Sequence, residues 1–166
     1  QMAASGPTIY NALIGEVKLS ETVRPTEVDG LFVSPANAEL TGAEIELVSA
    51  FAREGKLKAA IAELKSQYDY ILIDCPPSLG LLTVNALTAA DSFLVPLQCE
   101  YFALEGLSQL IHTIGLIRQS TNPTLAEEGI LLTMYDGKTN LSNQVVDEVR
   151  KHFTDQVFKT VIPRNV

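Results

Sequence analysis

The chain is short of cysteine, of positive charge and of long apolar runs, and each shortage removes a class of protein. Two cysteines, Cys75 and Cys99, cannot build a disulfide framework, and their spacing forms no metal-ligand cluster with His112 and His152. Twelve Lys and Arg face twenty Asp and Glu, a net charge of −8 with an isoelectric point near 4.7. A domain that grips nucleic acid with its whole surface carries the opposite sign, so any DNA contact has to be local. Mean hydropathy is +0.16, yet charged or turn residues interrupt every apolar run well before the ~20 residues of a bilayer span. No membrane contact is expected. The start, residues 1–7, has neither a basic n-region nor an apolar h-region, which argues against a secretory leader and for a cytoplasmic protein. There is also no self-similar period and no low-complexity tract.

What the chain does have is apolar material. Its 166 residues are 46% hydrophobic and 19% charged, enough for one core, and a single domain over 1–166 is expected. Residues 8–14 form a short helical candidate, and the apolar run 30–34 reads as a strand between turn residues. Thr41-x-x-Glu44 has the form of a capping box, with Ile45, Val48, Phe51 and Ala52 following at helical spacing. Leu57, Ile61, Leu64 and Tyr68 predict a second helix. The period then changes. Residues 70–74 are a solid apolar run ending in a carboxylate, which suits a parallel strand covered on both faces. Beyond it, 81–89 reads as helix and 93–97 as a buried strand. The stripe Leu104, Leu107, Leu110, Ile111, Ile114, Ile117 marks a long helix. A strand over 129–134, a helix around Val145, Val149 and Phe153, and a strand at 160–162 complete the alternation. It predicts an α/β fold with a mainly parallel sheet flanked by helices, binding ligand beyond the carboxyl ends of its strands.

The segment with most chemistry is Ile71-Leu72-Ile73-Asp74-Cys75-Pro76-Pro77-Ser78-Leu79-Gly80. A carboxylate at the mouth of a strand can hold Mg²⁺ through water. Two prolines stiffen the exit and Gly80 lets the chain turn, so the loop can move as a unit. Spacing alone fits equally well an Asp that ends a strand and caps the next turn. Cys75 and Cys99 read as buried, inert thiols, and His112 and His152 as packed or solvated side chains.

Residues 68–87, Tyr68-Asp69-Tyr70 through Ala86-Leu87, resemble the Walker B and switch II region of the ParA/Soj chromosome-partitioning ATPases. The likeness continues through Ala43-Glu44-Ile45-Glu46-Leu47, 96–107, 131–136 and Val161-Ile162-Pro163-Arg164-Asn165-Val166, nearly the whole chain. It implies a P-loop NTPase-like, Mg²⁺-dependent ATPase that forms a homodimer on ATP, binds DNA nonspecifically at the nucleoid and is stimulated by a ParB-like partner. It further implies that Asp74 holds Mg²⁺ through water and that Pro76, Pro77 and Gly80 are switch elements. Glu100, Tyr101 and Phe102 are placed near the nucleotide and the dimer face. Pro163 and Asn165 are placed around adenine, and Lys138 stands where relatives carry a DNA-binding arginine.

One departure stands out. A phosphate cradle needs a Gly-rich loop with Lys and Ser/Thr, and the only Gly-Lys-Thr, at 137–139, has Leu132 where the motif needs glycine. The sequence is therefore expected to be the middle of a longer protein, weak in ATP affinity on its own, not hydrolysing autonomously, and prone to associate. Rival readings are a MinD-like site-positioning ATPase and a non-catalytic module that keeps the dimer surface. A dinucleotide oxidoreductase is disfavoured because no G-x-G-x-x-G follows a strand. Glu100 reads equally as an interface group or a solvated carboxylate. Lys138, Arg150, Lys151, Lys159 and Arg164 have to share a face to act on DNA.

Overall fold

A computed structural model describes residues 6–101 and 103–165. The chain divides into two compact units, Gln1–Ala89 and Ala90–Val166.

In the first unit, helix α1 (Ile9–Ile14) starts at Thr8, whose backbone N–H and hydroxyl both donate to Asn11 Oδ1, at 2.9 and 3.2 Å. It stops at Gly15, whose φ of +87° is the left-handed conformation that glycine adopts without strain. The strand expected at 30–34 shrinks to β2 (Phe32–Val33), paired antiparallel with β1 (Arg24–Pro25). Beyond Pro25 one further bond, Thr26 N–H to Leu31 O at 3.0 Å, leads into the turn, and on the other side Pro35 has no N–H to offer the ladder.

Helix α2 (Leu40–Glu46) departs from its sequence signature. Its N-cap is Glu39, so Thr41 lies inside the helix, and the expected stripe points outward: Ile45 is 79% exposed and Phe51 94%. The buried residues are Ala43 and Leu47. Helix α3 (Lys56–Ala62) ends sooner than its apolar period, although Leu64 remains buried in the turn that follows. Helix α4 (Leu81–Ala89) has the expected bounds. Leu13, Leu57, Ile61, Leu64, Ala86 and Ala89 form the core that α1, α3 and α4 share.

Helix α3 is capped from outside its own sequence. Its N-cap, Gly55, has no side chain to accept a hydrogen bond. Asn85 of α4 reaches across instead: its Oδ1 accepts from Leu57 N–H at 3.1 Å, and its amide donates to the carbonyls of Arg53 at 2.8 Å and Leu81 at 3.0 Å. The side chain is 1% exposed with its oxygen and both N–H donors engaged.

Residues 70–74 are the main correction. They form no strand among the described residues. Tyr70 is 87% and Leu72 92% exposed, while Ile73 packs on the helical core. The in–out alternation of a strand is present, but among the described residues β1 and β2 pair only with each other and no strand pairs with this segment, and an extended segment without a ladder partner leaves its backbone to water.

The second unit has the expected alternation: β3 (Ser92–Gln98), α5 (Ala103–Gln119), β4 (Ala126–Tyr135), α6 (Asn140–His152) and β5 (Val157–Pro163). The sheet is parallel with order β3-β4-β5. Val95, Leu97, Ile130 and Leu132 point to one side, where Leu107 of α5 and Val145, Val146 and Val149 of α6 cover them. The expectation of a buried strand at 93–97 is met on this side only, since Leu94 on the other is 48% exposed. Near the start of β4 the register shifts and Gly129 takes φ +133°; a Cβ there would lie 2.6 Å from Gln156 O. No helix among the described residues is long and apolar enough to cross a membrane.

Candidate functional site

The three strands of the second unit are parallel, so their carboxyl ends share one edge, the place where α/β sheets bind ligands. At the exit of β3, the Cys99 N–H donates to Thr133 O at 3.1 Å, and the chain then turns so that the Glu100 N–H donates to Gln98 O at 2.8 Å. At the exit of β4, Asp136 shapes the loop. Its Oδ1 accepts from Lys138 N–H at 3.0 Å and its carbonyl accepts from Thr139 N–H at 3.1 Å. Thr139 then caps α6 by accepting from Ser142 N–H. Tyr135 donates its hydroxyl to Asn143 Oδ1 at 2.8 Å. At the exit of β5, Arg164 N–H donates to Tyr135 O at 2.9 Å, and the Arg164 guanidinium lies 3.3 Å from Glu100 Oε1.

Three strand exits are thereby tied together, and Glu100, Pro163 and Arg164 meet there. Lys138 is exposed on the β4 loop, and Asn165 is exposed beyond Arg164. Tyr101, 75% exposed, follows Glu100. Phe102 lies outside the described residues. The cross-link by Arg164 could not be read from the sequence, where 64 positions separate it from Glu100. The basic residues do not gather on one face: Arg150 and Lys159 line a separate depression of about 590 Å³ with Thr154, Asp155 and Val157. Arg150 and Lys159 stand near the amino end of β5, away from the strand exits.

Met134 is a second residue that sequence reasoning missed. Its φ of +53° is costly for a side chain of this size, and it sits where the β4–β5 register shifts, one residue before Tyr135. No sequence signal marks such a residue.

Asp74, Pro76, Pro77 and Gly80 belong to the first unit. Asp74 is exposed at the end of the unpaired segment, and the prolines and Gly80 form the loop that leads into α4. Thr83 closes this loop by donating its hydroxyl to Ser78 O at 2.6 Å. No group of three or more His, Cys, Asp or Glu side chains could hold a metal among the described residues. Asp74 alone fits the manner in which Mg²⁺ is held beside a nucleotide, by one or two carboxylates with waters and phosphates completing the shell.

Cys99 is buried as expected, but Cys75 is exposed, because the segment that carries it has no cover. Burial pushes the Cys99 thiol above its ordinary pKa; for Cys75, partial desolvation of the sulfur and then the Asp74 charge do the same. A raised thiol pKa means less thiolate at a given pH. Iodoacetamide at pH 8 is therefore expected to label Cys75 more slowly than free cysteine, faster as pH rises, and to leave Cys99 unlabelled until the chain unfolds. Peptide mass spectrometry reads both sites; equal labelling of the two would contradict the packing of Cys99.

A family model described as an AAA domain matches residues 2–127. The chain is 59% identical over 159 residues to the chromosome partitioning protein ParA of Myxococcus xanthus (strain DK1622), covering 96% of this chain and 56% of that protein. It is 55% identical over 158 residues to the sporulation initiation inhibitor protein Soj of Bacillus subtilis (strain 168), covering 95% and 62%. Among solved structures, cobyrinic acid a,c-diamide synthase from Mycobacterium smegmatis with bound ADP and magnesium superposes with a TM-score of 0.88 at 42% identity, over 96% of this chain and 64% of that one. The chain thus spans less than two thirds of the length of each of these relatives.

Proposed function

We propose, from the premise that this chain belongs to the AAA domain family and to its ParA/Soj partitioning group, that it forms the central part of one ATPase domain working as a nucleotide-gated DNA switch. ATP with Mg²⁺ is the ligand, a homodimer is the ATP-bound state, and nonspecific DNA and a ParB-like protein are the partners. The compartment is the cytoplasm, at the nucleoid. Bound magnesium supplies charge neutralisation for phosphoryl transfer to water.

Asp74 holds the ion through water, and Pro76, Pro77 and Gly80 carry the loop that answers to the γ-phosphate. Pro163 and Asn165 border the adenine. Glu100, Tyr101 and Phe102 stand near the nucleotide and the dimer face, and Lys138 touches DNA phosphates. The observation that supports this most is the linked edge where Glu100, Arg164 and Tyr135 join three parallel strand exits. The ADP and magnesium of the Mycobacterium smegmatis structure support the choice of ligand.

The test is a chimaera in which this chain replaces the matching stretch of the Myxococcus xanthus ParA. It is expected to be retained on DNA of random sequence only with Mg-ATP. Lys138→Ala should lower the salt dependence of that binding by about one unit in the log–log slope, one lost phosphate contact. Retention that is equal without nucleotide would contradict the switch, and retention without turnover would favour the non-catalytic module.

A further inference from the structure

The loop 75–80 enters α4 against a carboxylate from another helix. Glu44, half-buried on α2, turns one oxygen toward the start of α4, where Oε1 accepts from Leu82 N–H at 3.4 Å. The Leu82 N–H is among the first of the helix, which have no partner within it, and a negative charge is favoured at that end. A second observation concerns the same oxygen. Gly80 is so close to it that a Cβ on Gly80 would collide with the Glu44 carboxylate. Gly80 has no positive φ, so the backbone does not require glycine; the space that Glu44 fills does.

Helix α2 is held on its other side as well, by Tyr10, whose hydroxyl donates to Glu46 Oε1 at 2.9 Å. Ile45 of α2 and Val48 in the turn after it are exposed. The Thr41-x-x-Glu44 spacing suggests that Glu44 serves its own helix, yet α2 starts at Leu40 and the carboxylate goes to α4 instead.

We propose that Glu44 is a positioning residue, a latch from α2 that fixes the first turn of α4 and with it the trailing end of the 75–80 loop. The latch rests on the partitioning-ATPase reading for what the loop responds to, but not for its own existence. If the loop shifts when a nucleotide phosphate arrives, Gly80 and Leu82 move relative to Glu44, and α2 registers the change. Gly80 leaves room for the latch: any side chain there opens it by pushing a flexible carboxylate aside, at little cost to the backbone.

Amide hydrogen exchange in the intact 166-residue chain without nucleotide tests this independently of any ATPase activity. The rate at Leu82 is read relative to Ile61 inside α3, which removes any global loss of stability. Glu44→Ala is expected to speed exchange at Leu82 about five- to tenfold, the size of a lost N-terminal cap. Gly80→Ala should do so by a similar factor, and the double variant no further, because both open one contact. Glu44→Gln, which keeps a side-chain oxygen, should retain most of the protection. Unchanged exchange in Glu44→Ala, or single factors that multiply in the double variant, overturns the latch. Failure of the ATPase reading appears elsewhere, in the nucleotide dependence of DNA retention.

Discussion

Replacing Asn85 by alanine is expected to lower the stability of the first unit by about 2–4 kcal/mol. The estimate comes from what is left behind. The buried Leu57 N–H loses its acceptor and the part-buried Arg53 C=O its donor, and an unsatisfied buried group costs about 1–3 kcal/mol. The Leu81 carbonyl loses a second donor, a smaller effect. Against a total stability of order 5–15 kcal/mol for a domain, this is a large fraction. Asn85→Asp refines the test. It keeps the oxygen that accepts from Leu57 but loses the donor, and at neutral pH it sets a carboxylate against two carbonyls. Its deficit should therefore be large at pH 7 and shrink in acid, where a protonated carboxyl donates again. Urea unfolding followed by circular dichroism measures both. A wild-type midpoint for Asn85→Ala would mean that α3 and α4 do not depend on this bridge.

The second unit was legible in the sequence because its signals are local. The run 93–97, the stripe from Leu107 to Ile117 and the apolar positions Val145 and Val149 have periods that fix strand and helix, and alternation then implies a parallel sheet. The bounds of α4 were legible for the same reason. In the first unit the deciding interactions are long-range. Asn85 caps α3 across 28 positions and Glu44 reaches α4 across 38, so a capping motif read within one helix named the wrong recipient. Residues 70–74 carry the pattern of a strand, with Ile73 turned inward, but pattern alone does not provide the neighbour that a ladder needs.

Part of the candidate site was legible through resemblance, and part only in three dimensions. Glu100, Lys138, Pro163 and Asn165 were picked out singly. The bond of Arg164 to Glu100 and the left-handed Met134 beside Tyr135 lie where three strand exits meet, and nothing in their flanking residues marks them. His152 stays a solvated group, its Nδ1 2.9 Å from Glu148 O at the end of α6.

The largest functional effect is expected at Asp74, the proposed magnesium carboxylate. A lone exposed carboxylate makes no metal site by itself, so its contribution appears only when phosphates complete the shell around the ion. Binding of ATP to the free chain, which has no Gly-rich phosphate loop, is accordingly expected to be weak. Binding to the ParA chimaera is expected to be tight and dependent on Mg²⁺. Asp74→Ala there should weaken Mg-ATP binding about 10–100-fold, the effect of losing a group that orients a metal's shell through water, while leaving binding in EDTA unchanged.

The direct test is a calorimetric titration of the chimaera and its Asp74→Ala variant with ATP, with Mg²⁺ and with EDTA. The account predicts that the variant differs from the parent only when Mg²⁺ is present. Equal Mg-ATP affinity in the two proteins would contradict it.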